Sequence, residues 1–183
     1  MTEPDAQLTL RTGNPAAPGD LALLEGFLNT WSGELSIEDF GTVSDTEKWL
    51  RQFGLWMGSK KLTATHREKI IQFRECLRAW ILDNSSTQPL AASLSDVVFH
   101  AEIDEGMLSF KAVGDPYQFL VGSLAKAISA SQNAGTWDRF KCCELPTCGW
   151  AFYDSTRSRT KRWCSMKTCG SRHKAREYYK RKR

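Results

Sequence analysis

The sequence predicts an α+β chain in two parts: a mostly helical N-terminal domain with a small antiparallel β-hairpin, then a short C-terminal unit organised by cysteines. Three observations predict it. Apolar residues recur at helical spacing through much of the first 136 residues. Two strand-like runs flank Asp104-Glu105-Gly106, a hairpin signal. Five of the six cysteines, and 14 of the 25 Lys and Arg, fall within residues 137–183.

The length of 183 residues suits one medium domain or one domain plus a small module. Hydrophobic residues make up 41% and charged residues 25%, which excludes a wholly disordered chain. No apolar run approaches the roughly 18 residues that a membrane span requires, so no membrane partner is expected. The opening MTEPDAQLTLRTGNP lacks a basic start followed by an apolar stretch, and the expected location is the cytoplasm.

Residues 1–19 contain Pro4, Gly13, Pro15, Pro18 and Gly19 and read as a flexible arm. Asp20 is the expected N-cap of a first helix reaching about Thr30, with Leu21, Leu24 and Leu28 on its buried face. Ser44 and Glu47 have capping-box spacing ahead of a second helix, which would bury Trp49, Leu50 and Phe53. Thr65 and Glu68 repeat that spacing before the longest helix, over roughly 66–82. There Ile70, Phe73, Leu77 and Ile81 form a stripe with Trp80 beside it, and Cys76 reads as an inert core thiol. Asn84-Ser85-Ser86 is the expected stop, and Pro89 opens a short helix ending near Ser95. Val97–Ile103 and Met107–Val113 form the hairpin. Asp115-Pro116 then starts a helix through about Ser131, with Phe119, Leu120, Leu124 and Ile128 inward.

The body shows no phosphate-binding glycine loop, no dinucleotide fingerprint and no nucleophile elbow. His66 and His100 read as surface or hydrogen-bonded residues. The expectation is a protein that is not an enzyme.

Residues 137–183 carry 14 basic and 4 acidic side chains, a difference of +10. The first 136 residues carry the remaining 11 basic and 17 acidic ones, a difference of −6. A basic end on an acidic body suggests that the end meets a polyanion. The cysteines divide at the same place, which puts an expected domain boundary near residue 136. Cys143 and Cys148 are separated by four residues, as are Cys164 and Cys169. Two such pairs can supply four thiolates to one structural Zn²⁺ per chain, with no position left open for water. Cys143 is preferred to its neighbour Cys142 because it makes the pairs symmetric. The alternatives use Cys142, or recruit His173, four residues after Cys169. Trp150–Tyr153 and Lys161–Trp163 read as two short strands joined by the polar stretch 154–160. A helix capped by Ser171 should follow, with Arg172, Arg176 and Lys180 on one face. The unit is thus a treble-clef-like or ribbon-like zinc finger with a basic tail.

The run from Cys143 through Cys148-Gly149-Trp150-Ala151-Phe152-Tyr153-Asp154-Ser155 to Arg162-Trp163-Cys164 and Cys169-Gly170-Ser171-Arg172-His173-Lys174-Ala175-Arg176 resembles the CGNR zinc finger. That module ends a bacterial family of stress-induced transcription regulators whose N-terminal part is the ABATE domain. The resemblance extends upstream to Ala17–Leu21, Gly26–Thr30, Arg67 and Arg74–Arg78, and Gly135–Lys141. It implies an ABATE-like regulatory domain over 20–136 and a finger over 137–183. It also implies Cys143, Cys148, Cys164 and Cys169 as zinc ligands. The family's Cys-Gly-Asn-Arg is here Cys169-Gly170-Ser171-Arg172. The expected function is zinc-dependent DNA binding in transcriptional regulation, with RNA or protein binding as the alternative. Arg157, Arg159, Lys161, Arg162, Arg172, Lys174 and Arg176 are the candidate nucleic-acid contacts, with Arg172 and Arg176 nearest to base edges. The body would form a homodimer or sense an effector, and Asn29 and Thr30 mark the candidate effector site.

Overall fold

A computed structural model describes residues 15–56, 60–83, 85 and 87–182. The expected arm over 1–19 and the helix stop at Asn84-Ser85-Ser86 lie largely outside them. Six α-helices run through the described residues: α1 (Leu21–Leu28), α2 (Val43–Gln52), α3 (Ala64–Asp83), α4 (Thr87–Ser95), α5 (Pro116–Asn133) and α6 (Ser171–Arg181). Three antiparallel strand pairs accompany them. They are β1 (Trp31–Ser32) with β2 (Ile37–Glu38), β3 (Val98–Asp104) with β4 (Met107–Val113), and β5 (Phe140–Cys142) with β6 (Ala151–Tyr153). The α+β class and the hairpin agree with the sequence reading.

The helix stops and starts follow local chemistry that spacing alone misplaced by a residue or two. Asp20 makes no side-chain cap bond at α1. The cap of α2 is Thr42, whose hydroxyl accepts from Asp45 N–H and donates to the Asp45 carboxylate, so the Ser44/Glu47 box does not form. At α3 the cap is Thr63. Its hydroxyl accepts from His66 N–H, while His66 Nδ1 accepts from Thr63 N–H, an imidazole in the place usual for Glu. At α5 the expected Asp115-Pro116 start is a full capping box with Gln118. The β3–β4 turn is Glu105-Gly106 with both φ values positive, the type I′ geometry that matches strand twist.

The core gathers Leu21, Leu24, Phe27 and Leu28 of α1 with Leu50 of α2, Ile70, Phe73 and Leu77 of α3, and Leu120, Val121 and Leu124 of α5. Phe140 and Cys142 of β5 and Ala151 of β6 belong to the same cluster. The cysteine-rich unit therefore packs into the body through one face of its hairpin. Cys76, expected in the core, is only half-buried. At Gly122 of α5 an added Cβ would lie 2.5 Å from the Ala112 Cβ, so glycine lets β4 rest directly on the helix.

The apolar stripe of α3 does not announce its two buried arginines. Arg74 donates to both carboxylate oxygens of Glu38 at 2.7 and 2.9 Å, to Thr30 Oγ1 at 2.9 Å and to Glu75 at 2.9 Å. Burial raises the pKa of Glu38, but the Arg74 guanidinium outweighs it and holds the group below the usual carboxylate value. One turn on, Arg78 donates to the carbonyls of Gly149 and Leu28, the latter at 2.8 Å, and its guanidinium lies 5.0 Å from the Trp31 ring. Replacing Arg78 with Met keeps the stem but strands two buried carbonyls. Chemical unfolding should show a loss of about 2–4 kcal/mol, and a loss below about 0.5 kcal/mol would contradict this role.

Candidate metal centre

Strand alternation settles which of two adjacent thiols faces the cysteine cluster. In β5 and β6, Phe140, Cys142, Ala151 and Tyr153 point to the body core, while Phe152 points away from it. Cys142 pairs with Ala151 and is sealed in that core, where burial pushes its thiol up to about 12. Cys143, one residue on, falls into a second cluster with Leu145, Cys148, Trp150, Phe152, Cys164 and Cys169. The structure thus places Cys143, and not Cys142, with the other three cysteines. His173 lies against the Trp163 ring at 5.2 Å and is not part of the four-residue group.

The loop joining β5 to β6 is a tight turn in which Cys148 N–H bonds to Leu145 C=O at 2.8 Å and Cys143 N–H to Trp150 C=O at 2.8 Å. It delivers Cys143 and Cys148. Gly149 follows with φ +64, and a Cβ there would meet the Trp31 ring at 2.9 Å. Cys164 precedes and Cys169 lies within a wide π-type turn, Met166–Gly170, that runs directly into α6. Ser165 caps this turn, with its hydroxyl accepting from Thr168 N–H. Ser171, expected as the helix cap, instead donates to the Met166 carbonyl at 3.1 Å. One thiol pair thus comes from a hairpin loop and the other from the turn opening a helix.

The expected strand over Lys161–Trp163 is absent: Lys161 N–H bonds to the Asp154 carboxylate instead of a strand partner, and Arg162 C=O accepts a single bond from Glu144 N–H. The buried Asp154 carboxylate accepts from Lys141 Nζ at 2.8 Å, Thr156 N–H at 3.0 Å, Thr156 Oγ1 at 2.5 Å and Lys161 N–H at 2.9 Å. Burial raises the Asp154 pKa, but Lys141 and the other donors outweigh it and hold the group well below the ordinary carboxylate value.

The four sulfurs of Cys143, Cys148, Cys164 and Cys169 all lie within 4.8 Å of one another, and all four residues are buried. Cys164 Sγ is 3.7 Å from Cys148 Sγ and 3.6 Å from Cys169 Sγ. A tetrahedral ion with metal–sulfur bonds of about 2.3 Å sets sulfurs about 3.8 Å apart, so the donor set fits Zn²⁺. Protons alone serve the cluster poorly. Hydrogen bonds from Cys148 and Cys164 favour a thiolate on Cys143, and that thiolate then pushes the thiols of Cys148 and Cys164 up. A divalent cation removes the conflict. With all four positions taken by protein, its role is structural.

Asn29 and Thr30, the candidate effector residues, are both buried and both bonded within the protein. Asn29 Oδ1 accepts from Ala151 N–H at 2.8 Å and its Nδ2 donates to Ala151 C=O at 3.1 Å, so the body grips β6 through one amide. Thr30 Oγ1 donates to Phe27 C=O and accepts from Arg74. Sequence reasoning missed this clamp, since the partners are 122 residues apart.

The candidate nucleic-acid residues sit on two elements. Arg157 and Arg159 are exposed on the loop after β6; Arg162 is exposed there too and pairs with Glu144 at 2.5 Å. Lys161 lies 5.3 Å from the Phe152 ring. On α6, which buries no residue, Arg172, Lys174 and Arg176 are exposed, and Arg172 forms an ion pair with Glu34 of the body.

Purified protein should contain one zinc per chain by elemental analysis. Cys142→Ser should keep that stoichiometry and Cys143→Ser should lose it; the opposite pattern would exchange the two assignments. Asp154→Asn should destabilise the protein above the ordinary carboxylate pKa of about 3.9, where the wild-type carboxylate is charged in both folded and unfolded chains. Because the folded pKa is depressed, the difference should shrink as pH falls below that value, and a pH-independent difference in unfolding free energy would contradict it.

No curated protein matches the chain. Residues 139–182 match the family model described as the CGNR zinc finger. Four buried cysteines are gathered inside that span, so the C-terminal unit is similar to the CGNR zinc finger in both sequence and donor set.

Proposed function

We propose that the protein is a zinc-dependent DNA-binding regulator, cytoplasmic and without catalytic activity, and that its N-terminal part is an ABATE-type regulatory domain linked to stress response. The observation that carries the reading is the charge of the finger. Residues 137–183 hold 14 basic and 4 acidic side chains, and α6 projects Arg172, Lys174, Arg176 and Lys180 without burying any of its residues. A helix with no core role and a dense row of cations is suited to phosphates. Zinc acts upstream of binding by fixing the turn that opens α6. Arg172 and Arg176 are the base-edge candidates, and Arg157, Arg159, Lys161, Arg162 and Lys174 the phosphate contacts.

A second reading, single-stranded RNA, draws on Tyr178 and Tyr179, which are both largely exposed among the cations of α6. Exposed aromatic faces can stack unpaired bases.

Binding of the zinc-loaded protein to random duplex DNA and single-stranded RNA, measured across a salt series, distinguishes these readings. The regulator reading expects duplex binding with a steep salt slope, reduced by about one on neutralising Lys174. Arg172→Ala should keep its zinc and relax preference at one base position, at a cost of roughly 1–3 kcal/mol. No duplex binding at low salt would overturn the regulator reading.

A further inference from the structure

We propose that a second copy of this chain pairs with the outer edge of β3, joining two hairpins into one four-stranded antiparallel sheet with Ala101 on the two-fold axis.

The β3–β4 register sorts the hairpin into two faces. Opposed residues share a face, so the pairs Phe99–Ala112, Ala101–Phe110 and Ile103–Leu108 make one side wholly apolar. The pairs Val98–Val113, His100–Lys111, Glu102–Ser109 and Asp104–Met107 make the other side mostly polar. Among the described residues, only the base of the apolar side is covered. Ala112 is buried, and both Ala112 and Phe99 meet α5 at Gly122. Toward the tip, Phe110 is 50%, Leu108 62% and Ile103 76% exposed. The hairpin rests on α5 only at its base, and two further strands would widen the sheet and add cross-strand contacts toward the tip. Among the described residues β3 pairs with no strand but β4, which leaves its outer backbone groups free to pair.

The β3 sequence is complementary to itself in one register. Strand Val98–Asp104 has Ala101 at its centre. Antiparallel pairing about that residue engages the whole strand and sets Phe99 opposite Ile103 of the second copy, Val98 opposite Asp104, and His100 opposite Glu102, each twice. The apolar side then continues unbroken across both copies. The exposed Ile103 gains a Phe99 that already rests on its own α5. A shift of two residues either way places two His100 or two Glu102 side chains face to face. A shift of one residue sets apolar against polar positions. A small apolar residue on the axis meets its own copy without steric or charge conflict.

Sedimentation of the full-length, zinc-loaded chain at micromolar concentration should give twice the 20.7 kDa chain mass. Ala101→Glu, which opposes two carboxylates on the axis, should return the mass to one chain with zinc content and helical circular dichroism unchanged. His100→Glu should weaken the dimer at least about tenfold by opposing Glu102, and adding Glu102→Lys should restore it. Ala101→Cys should form a reducible dimer under mild oxidation, because directly opposed residues have Cα atoms about 4.5–5.5 Å apart, within disulfide reach. A monomeric wild-type chain overturns the proposal, whether the chain's own first residues or another protein cover the hairpin. A dimer that survives Ala101→Glu, or fails to cross-link through Cys at 101, also overturns it.

Discussion

The guanidinium of Arg78 is the contact on which the arrangement of the two parts depends. From the middle of α3 it reaches the carbonyl that ends α1 and the Gly149 carbonyl inside the cysteine loop, and it lies over the Trp31 ring. A charge this deeply buried persists only if every donor is used, and its carboxylate neighbour Glu75 sits at the protein edge, where water shares the cost. Asn29 adds the second point of attachment, at Ala151. Together with the apolar face of the β5–β6 hairpin and the Glu34 contacts, these bonds fix the orientation of the finger. The finger is therefore held by buried polar groups on a backbone that metal also shapes, so the metal turn and the helical body are mechanically continuous.

Helices with strong local signals were legible in the sequence. The Asp115-Pro116 helix start, the α3 stripe at Ile70, Phe73 and Leu77, and the hairpin turn all stand where spacing and turn chemistry place them. The four-cysteine cluster was legible for a related reason, since thiols have few other uses when clustered. Caps were less so. Thr42, Thr63 and Ser165 took roles assigned to Ser44, Thr65 and Ser171, because adjacent hydroxyls offer similar local energy and tertiary packing selects among them. The strand over Lys161–Trp163 did not form, and its first N–H went to a side chain, the Asp154 carboxylate, that a linear pattern does not reveal. Arg74, Arg78 and Asn29 were hidden because their partners are remote in sequence and a buried cation looks like a surface one in a linear pattern.

The body's acidity has a local expression at the finger. Glu34, in the β1–β2 ribbon, pairs with Arg172 and accepts from Thr147 Oγ1 at 3.0 Å. Glu144 holds Arg162 within the finger itself. Two of the seven candidate contact residues thus have carboxylate partners already, and a polyanion would have to compete for them. The tip residues Arg157 and Arg159 and the outer turns of α6 carry the more accessible charge.

The neighbouring thiols at 142 and 143 make the metal site indifferent to a one-residue slip of β5, because a sulfur would face the ion in either frame. Lys141 removes the ambiguity. In the observed frame its ammonium lies on the Asp154 carboxylate, and Phe140 and Cys142 enter the body core. In the slipped frame a lysine would enter that core, and a phenylalanine would leave it. The frame of the zinc ligands is therefore chosen by hydrophobic sorting on the far side of the strand, and coordination chemistry inherits a choice that it could not make alone.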